Sequence, residues 1–507
     1  MINGILFQGF EWYLPADGNY YKDLQKKLVD LKAMGVTAVW LPPVCKATGK
    51  EDTGYGIYDL YDLGEFDQKG AVRTKYGTKE ELLQLIHAIH EEGMAVYADV
   101  VLNHKAAADF EEEFTAVKVD PNDRTKDLEE PKTIKAWTGF DFPGRQGKYS
   151  SFTWHHHHFS GVDLNTLTGE EGIFRIVGEH KGWNWGVSHD HGNYDYLMFA
   201  DIDHAHPEVQ EELKTWIHWF IEETGIDGIR FDAVKHIDHA FLKDFARDLQ
   251  ETYGKEFYML AEYWDSREEN KEKFLEETDF LMGLFDVGLH FKLHEVSKEP
   301  EHADLRALFQ GTLTASHPSM SVTFVDNHDS QPGQSLASFI EPWFKESAYG
   351  LLLLREKGYP CIFYGDYYGI GGEHTIPPMK EKLHTLALLR KNFAFGKEET
   401  YMEKDHGGWV RMGDEDHPHK MATVISLLEK KSMTMYVGKD KAGEIYKDYT
   451  GNCEDTVTID EEGHGIFPCE GGSISVWLPD DLSLDESITH EPKGSGLAKA
   501  LLTSLSY

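Results

Sequence analysis

Met94-Ala-Val-Tyr-Ala-Asp-Val-Val-Leu-Asn-His104 is apolar almost throughout and turns polar only at its end. A run of this length with no alternation suits a parallel strand buried on both faces. Seven more runs of the same kind lie outward from it, at Ile2–Phe10, Val36–Leu41, Ile226–Phe231, Phe257–Ala261, Phe280–Phe285, Ser321–Val325 and Tyr359–Tyr364. Amphipathic stretches separate them. One carries Leu82, Leu85, Ile86 and Ile89 and ends at Gly93. Another opens at Pro207, carries Val209, Leu213, Trp216, Ile217, Phe220 and Ile221, and closes at Gly225. Eight strands alternating with helices predict an α/β fold, a closed (β/α)8 TIM barrel.

The rhythm lapses after the third strand. Residues 105–200 hold many aromatics and many Gly, Pro, Asn and Asp, with no sustained helical period, and read as an inserted β-rich subdomain. Beyond residue 393 the pattern becomes short alternating runs, such as Met421-Ala-Thr-Val-Ile425 and Ser473-Ile-Ser-Val-Trp477, which predict a C-terminal antiparallel β-sandwich. The expected organisation is a barrel over 1–104 and 201–392, the insertion over 105–200, the sandwich over 393–480 and a tail over 481–507.

The 507 residues carry 50 Lys and Arg against 88 Asp and Glu, a formal charge of −38. So acidic a surface repels phosphate backbones and anionic lipid, which argues against nucleic-acid and membrane partners. No apolar stretch reaches the length of a membrane span. The start, Met1-Ile-Asn-Gly-Ile-Leu-Phe-Gln, lacks the basic and apolar regions of a secretory signal, so a cytoplasmic monomer is expected; a secreted protein whose leader has been removed is the alternative. Four scattered cysteines make no disulfide framework, although Cys453 and Cys469 could pair.

The chemistry collects where these strands end. Strand three ends in Asn103-His104, strand four in Arg230-Phe-Asp232-Ala-Val-Lys235-His236, strand five in Glu262-Tyr263-Trp264, and strand seven in Asp326-Asn-His328-Asp329. Working residues of such barrels project from that rim. Three carboxylates from separate strands are the parts for cleaving an acetal: one attacks the anomeric carbon, one is kept protonated to release the leaving oxygen, and one steadies the cationic transition state. Arg230 stands two residues before Asp232, on the same strand face, where its charge favours an ionised nucleophile.

These segments resemble the four motifs of the α-amylase family, glycoside hydrolase family thirteen. The likeness extends from Gly9-Phe-Glu-Trp-Tyr13 through Gly54-Tyr-Gly-Ile-Tyr-Asp-Leu-Tyr-Asp-Leu-Gly-Glu-Phe66 to Gly471-Gly-Ser-Ile-Ser-Val476, nearly the whole chain. It is strongest toward bacterial liquefying and intracellular members. It implies an endo-acting, retaining hydrolase of α-1,4-glucans (starch, glycogen or maltodextrins), with Asp232 as nucleophile, Glu262 as general acid/base and Asp329 as transition-state stabiliser. Arg230, His104 and His328 are then expected at the cleaved sugar, Tyr55 and Trp12 as its aromatic platform, and Lys235, His236 and Tyr263 on the leaving-group side. A transglycosylase uses the same intermediate, and a silent glycan-binding protein would lack one of the three carboxylates, all of which are present.

Asn103, Asp195 and Asp201 are hard oxygen donors that suit Ca²⁺, although Asn193-Tyr-Asp-Tyr196 is also ordinary turn chemistry. The resemblance implies one structural calcium between barrel and insertion, on these three residues and the main-chain carbonyl of His236. Liquefying relatives carry aspartates at the positions of Ser160, Asn184 and Ala205, which help hold a second calcium and a sodium. This chain keeps Asp203 without those three charges, so a single ion is expected rather than a multi-ion cluster. His155-His-His-His158, read as strand, alternates between faces and is not expected to converge on a metal.

Overall fold

The computed structural model describes residues 3–484. Eight parallel strands close into a barrel: β1 (Leu6–Gln8), β2 (Ala38–Leu41), β3 (Ala95–Val100), β4 (Gly228–Phe231), β5 (Tyr258–Ala261), β6 (Gly283–Phe285), β7 (Ser321–Phe324) and β8 (Tyr359–Phe363). They follow one another around the ring, and β8 closes on β1. All eight apolar runs supply one strand each, although the strands are shorter than the runs. Phe280 shows why: it sits at φ 53° and is 42% exposed, so it belongs to the turn before β6.

The helices form where their end signals stand. Pro207 begins the helix Pro207–Thr224, and Gly225, at φ 70°, ends it with its N–H on the Ile221 carbonyl. Its buried stripe is the one read from the sequence, Val209, Leu213, Trp216, Ile217, Phe220 and Ile221. Full burial of each large apolar side chain contributes about 1.5–3 kcal/mol before entropy is counted.

The insertion is a seven-stranded antiparallel sheet. Its border strands, His104–Lys105 and Ala200–Ile202, pair with each other, with His104 opposite Asp201. The sheet therefore grows directly out of the seam with the barrel, and the expected edges at 105 and 200 cut through its first and last strands. Beyond residue 397 a six-stranded antiparallel sheet packs against the pair Lys431–Tyr436 and His464–Cys469 around Val424, Met435, Phe467 and Trp477. Most of the expected tail, residues 485–507, lies outside the described residues.

One question is answered and one expectation changes. Cys453 and Cys469, whose pairing the sequence leaves open, are not bridged; all four cysteines are buried free thiols, and Cys469 Sγ points to the Ser473 carbonyl at 3.4 Å. The histidine run is no strand either. His156–His158 form a 3₁₀ turn, because the His155 N–H is capped by His158 Nδ1 at 3.0 Å, and its rings gather instead of alternating.

Candidate active site

Strand register sets the site. Arg230 on β4 lies level with Asp99 on β3, and Phe231 lies level with Ala261 on β5. The next residues, Asp232 and Glu262, therefore leave the barrel rim side by side. One guanidinium organises them. Arg230 Nη1 donates to Asp232 Oδ1 at 2.7 Å and to Asp99 Oδ1 at 2.8 Å, while Nη2 lies 3.0 Å from Glu262 Oε2. Glu262 Oε2 also accepts the Ala233 N–H at 3.1 Å. Ala233 adopts the left-handed region at φ 51°, a strained conformation for a residue with a Cβ and one that accumulates at working sites.

Asp329 arrives from the loop after β7. That loop is braced by Asn327 Oδ1, which accepts the N–H groups of Asp329 and Ser330 at 2.9 and 2.8 Å, and by the buried ion pair of Asp326 with Lys345 at 2.8 Å. His328 Nε2 stands 3.3 Å from Asp329 Oδ2, and the Gln8 amide lies 2.9 Å from His328 Nδ1. Burial pushes the Glu262 carboxyl up to about 8; Arg230 opposes the rise, and the charges of Asp232 and Asp329 add to it. Burial likewise brings Asp329 up to about 7, with Arg230 opposing the rise and the charges of Asp232 and Asp99 adding to it. Burial keeps His104 and His328 below the usual imidazole range, so both are neutral at pH 7.

Trp12, Tyr55 and His328 present nearly parallel rings, within 6° of one another and 5.1–6.2 Å apart. Tyr55 is fixed by its hydroxyl on Asp99 Oδ2 at 2.9 Å, and His104 Nε2 lies 2.8 Å from the Tyr55 carbonyl. Arg230, His104, His328, Tyr55 and Trp12 thus join the three carboxylates. The other three expected residues stand apart from this cluster. Lys235 pairs with Asp190 at 2.8 Å. His236 is buried with Nδ1 2.7 Å from the Tyr194 carbonyl, and Tyr263 is buried against Phe274.

Sequence reading missed four supports. Asp99 holds both Arg230 and Tyr55, and its signal was a lone acid inside an apolar strand. Gln8 is the matching polar residue in β1. Glu11 and Gln331 bond each other at 3.1 Å, and Gln331 Oε1 accepts the Trp12 N–H at 3.1 Å, which fixes the platform. No local pattern marks that last pair, because its members are 320 residues apart.

At the seam, Asp195, Asp201 and Asn103 are at most 1% exposed. Burial and their own neighbouring charges push both aspartates well up. Among the described residues neither aspartate has a Lys or Arg ion pair, and Asn103 Oδ1 has no hydrogen-bond partner. Two unneutralised buried carboxylates beside an orphaned amide oxygen fit a hard cation. The positions around them carry internal donors instead. Ser160 Oγ donates to Asp201, the Asn184 N–H donates to Asp195 at 2.8 Å, and Lys181 forms an ion pair with Asp203.

The profile of the α-amylase catalytic domain matches residues 17–407, and that of the α-amylase C-terminal domain matches residues 427–478. The chain belongs to the α-amylase family. An α-amylase of Geobacillus stearothermophilus is 47% identical over 479 residues, 94% of this chain and 87% of that protein. A cytoplasmic α-amylase of Escherichia coli is 40% identical over 497 residues, 95% of this chain and all of that one. The fold of this α-amylase family member is similar to the crystal structure of a Geobacillus thermoleovorans α-amylase complexed with acarbose, with TM-score 0.61, 20% identity and coverage of 95% and 99% of the two chains. Among the described residues no helix is long and apolar enough to cross a membrane.

Proposed function

We propose that this chain is an endo-acting α-amylase that hydrolyses internal α-1,4-glucosidic bonds of starch, glycogen or maltodextrins with retention of configuration. The observation that carries this reading is the trio of carboxylates at the ends of β4, β5 and β7, with Asp232 and Glu262 buried on one arginine and Asp329 partly exposed beside them. Asp232 Oδ2 attacks the anomeric carbon while Oδ1 stays on Arg230. The glycosidic C–O bond breaks as protonated Glu262 gives its proton to the leaving oxygen. A water then attacks the same carbon, Glu262 takes the water's proton, and the bond to Asp232 breaks. Asp329, His104 and His328 bind the hydroxyls of the distorted sugar, and Tyr55 with Trp12 covers its apolar face. Lys235, His236 and Tyr263 line the leaving-group side.

The test is NMR of the anomers released from soluble starch. Early α-anomer together with a rapid fall in chain length is the expected result. Early β-anomer would end the retaining assignment, and cyclic or disproportionated products would move the enzyme to transglycosylation.

The same reading places one calcium on Asn103, Asp195, Asp201 and the His236 carbonyl, where it neutralises the two carboxylates and ties the inserted sheet to the rim. The internal donors on Asp195, Asp201 and Asp203 support a single ion. Calcium at a thousandfold excess over its Kd stabilises by about 4 kcal/mol, so chelation should lower Tm and Asp195→Asn should abolish that response in calorimetry. A Tm indifferent to chelator would remove the ion from this account. A cytoplasmic location is supported by the four free thiols and by the relative of E. coli named for that compartment.

A further inference from the structure

Away from the carboxylates, four side chains converge where the inserted sheet meets the helix that follows it. His157 and His158 come from the 3₁₀ turn, His206 precedes Pro207, and Glu208 lies in the first turn of helix Pro207–Thr224. One nitrogen or carboxylate oxygen from each lies within 4.8 Å of the others. From this geometry we propose that His157, His158, His206 and Glu208 bind a zinc-like transition-metal dication that staples the inserted sheet to the barrel.

The donor set decides the ion. Three imidazoles and one carboxylate suit a borderline dication in tetrahedral coordination, whereas calcium takes oxygen ligands. The two sites therefore share no ligand, although they are neighbours: the Asp203 N–H donates to the His158 carbonyl at 3.0 Å and the His206 N–H to the Asp203 carbonyl at 3.0 Å. Tetrahedral zinc draws its ligand atoms to about 3.3 Å from one another, so loading contracts the cluster. The exposed residues His157 and Glu208 can make that movement. His206 brings a buried Nδ1 with no hydrogen-bond partner.

The His155 N–H occupies His158 Nδ1, so the ring proton sits on Nε2 and is shared with Glu208 Oε2 at 3.1 Å. Loading exchanges this arrangement. The proton passes to Nδ1, Nε2 takes the metal, and the His155 N–H gives up its cap. That rearrangement makes the site weaker than a preorganised structural zinc centre and makes its occupancy depend on zinc supply.

The experiment is calorimetric titration of the full-length protein with zinc chloride under saturating calcium, together with thermal melting. One equivalent of zinc and a Tm rise of a few degrees at zinc well above Kd are expected. The double variant His157→Gln, Glu208→Gln changes only exposed positions. It should bind zinc at least about 100-fold more weakly while starch hydrolysis and calcium-dependent melting stay unchanged. No uptake by the native protein, equal uptake by the variant, or uptake abolished by excess calcium would each overturn the assignment, the last by placing the ion on the carboxylates.

Discussion

Asp232→Asn is expected to lower kcat on soluble starch by at least about 10⁴-fold while the protein stays folded and still binds maltodextrin. The substitution is nearly isosteric, and an Asn Oδ1 can still accept from Arg230 Nη1, which donates to Asp232 at 2.7 Å. What disappears is an oxygen able to form and release a bond to the anomeric carbon. A second consequence separates this role from a merely structural one. The Asp232 charge is among the causes that raise Glu262, so its removal should shift the basic limb of any residual activity toward lower pH. Activity within about tenfold of the native enzyme, in a preparation free of contaminating amylase, would mean that another carboxylate attacks.

The barrel was legible because its strands are buried on both faces. An apolar run carries that signal without reference to any partner, and the polar rim residues stand out as each run ends. The insertion was legible only as a break in the rhythm. Its border strands, His104–Lys105 and Ala200–Ile202, have two and three residues, and their pairing across the seam is a long-range fact no local pattern carries. The three rim carboxylates were readable for the same reason as the barrel, whereas their bracing was not. Asp99 looked like an interruption in an apolar strand until register set it beside Arg230. The histidine run failed differently: four histidines in a row fit a strand as well as a turn, and the His155 N–H donating to the His158 side chain three residues on decides for the turn. Lys181 gave no signal at all, since only the fold brings its ammonium to Asp203.

Glu262→Gln should distinguish proton transfer from every other contribution at this site. Burial raises this carboxyl to about 8, above the ordinary range for glutamate, so it carries its proton below that pH and loses it above. The acid form is the one that protonates the leaving oxygen. Native kcat/KM on starch should therefore fall as pH rises through about 8, and the variant should lack that limb. At neutral pH the variant should lose about 10²–10⁴-fold on starch, the scale of general acid catalysis. A maltooligoside carrying a 4-nitrophenyl group tells more, because 4-nitrophenolate departs without a proton. Attack by Asp232 then proceeds and the phenolate leaves, but no base remains to activate the water that should follow. The variant should release one rapid equivalent of nitrophenolate and then stall, with the sugar retained as a mass increase on the intact protein. Equal loss on both substrates, with no burst and no adduct, would take the proton-transfer role from Glu262. It would leave Glu262 as a side chain that merely holds Arg230 in place.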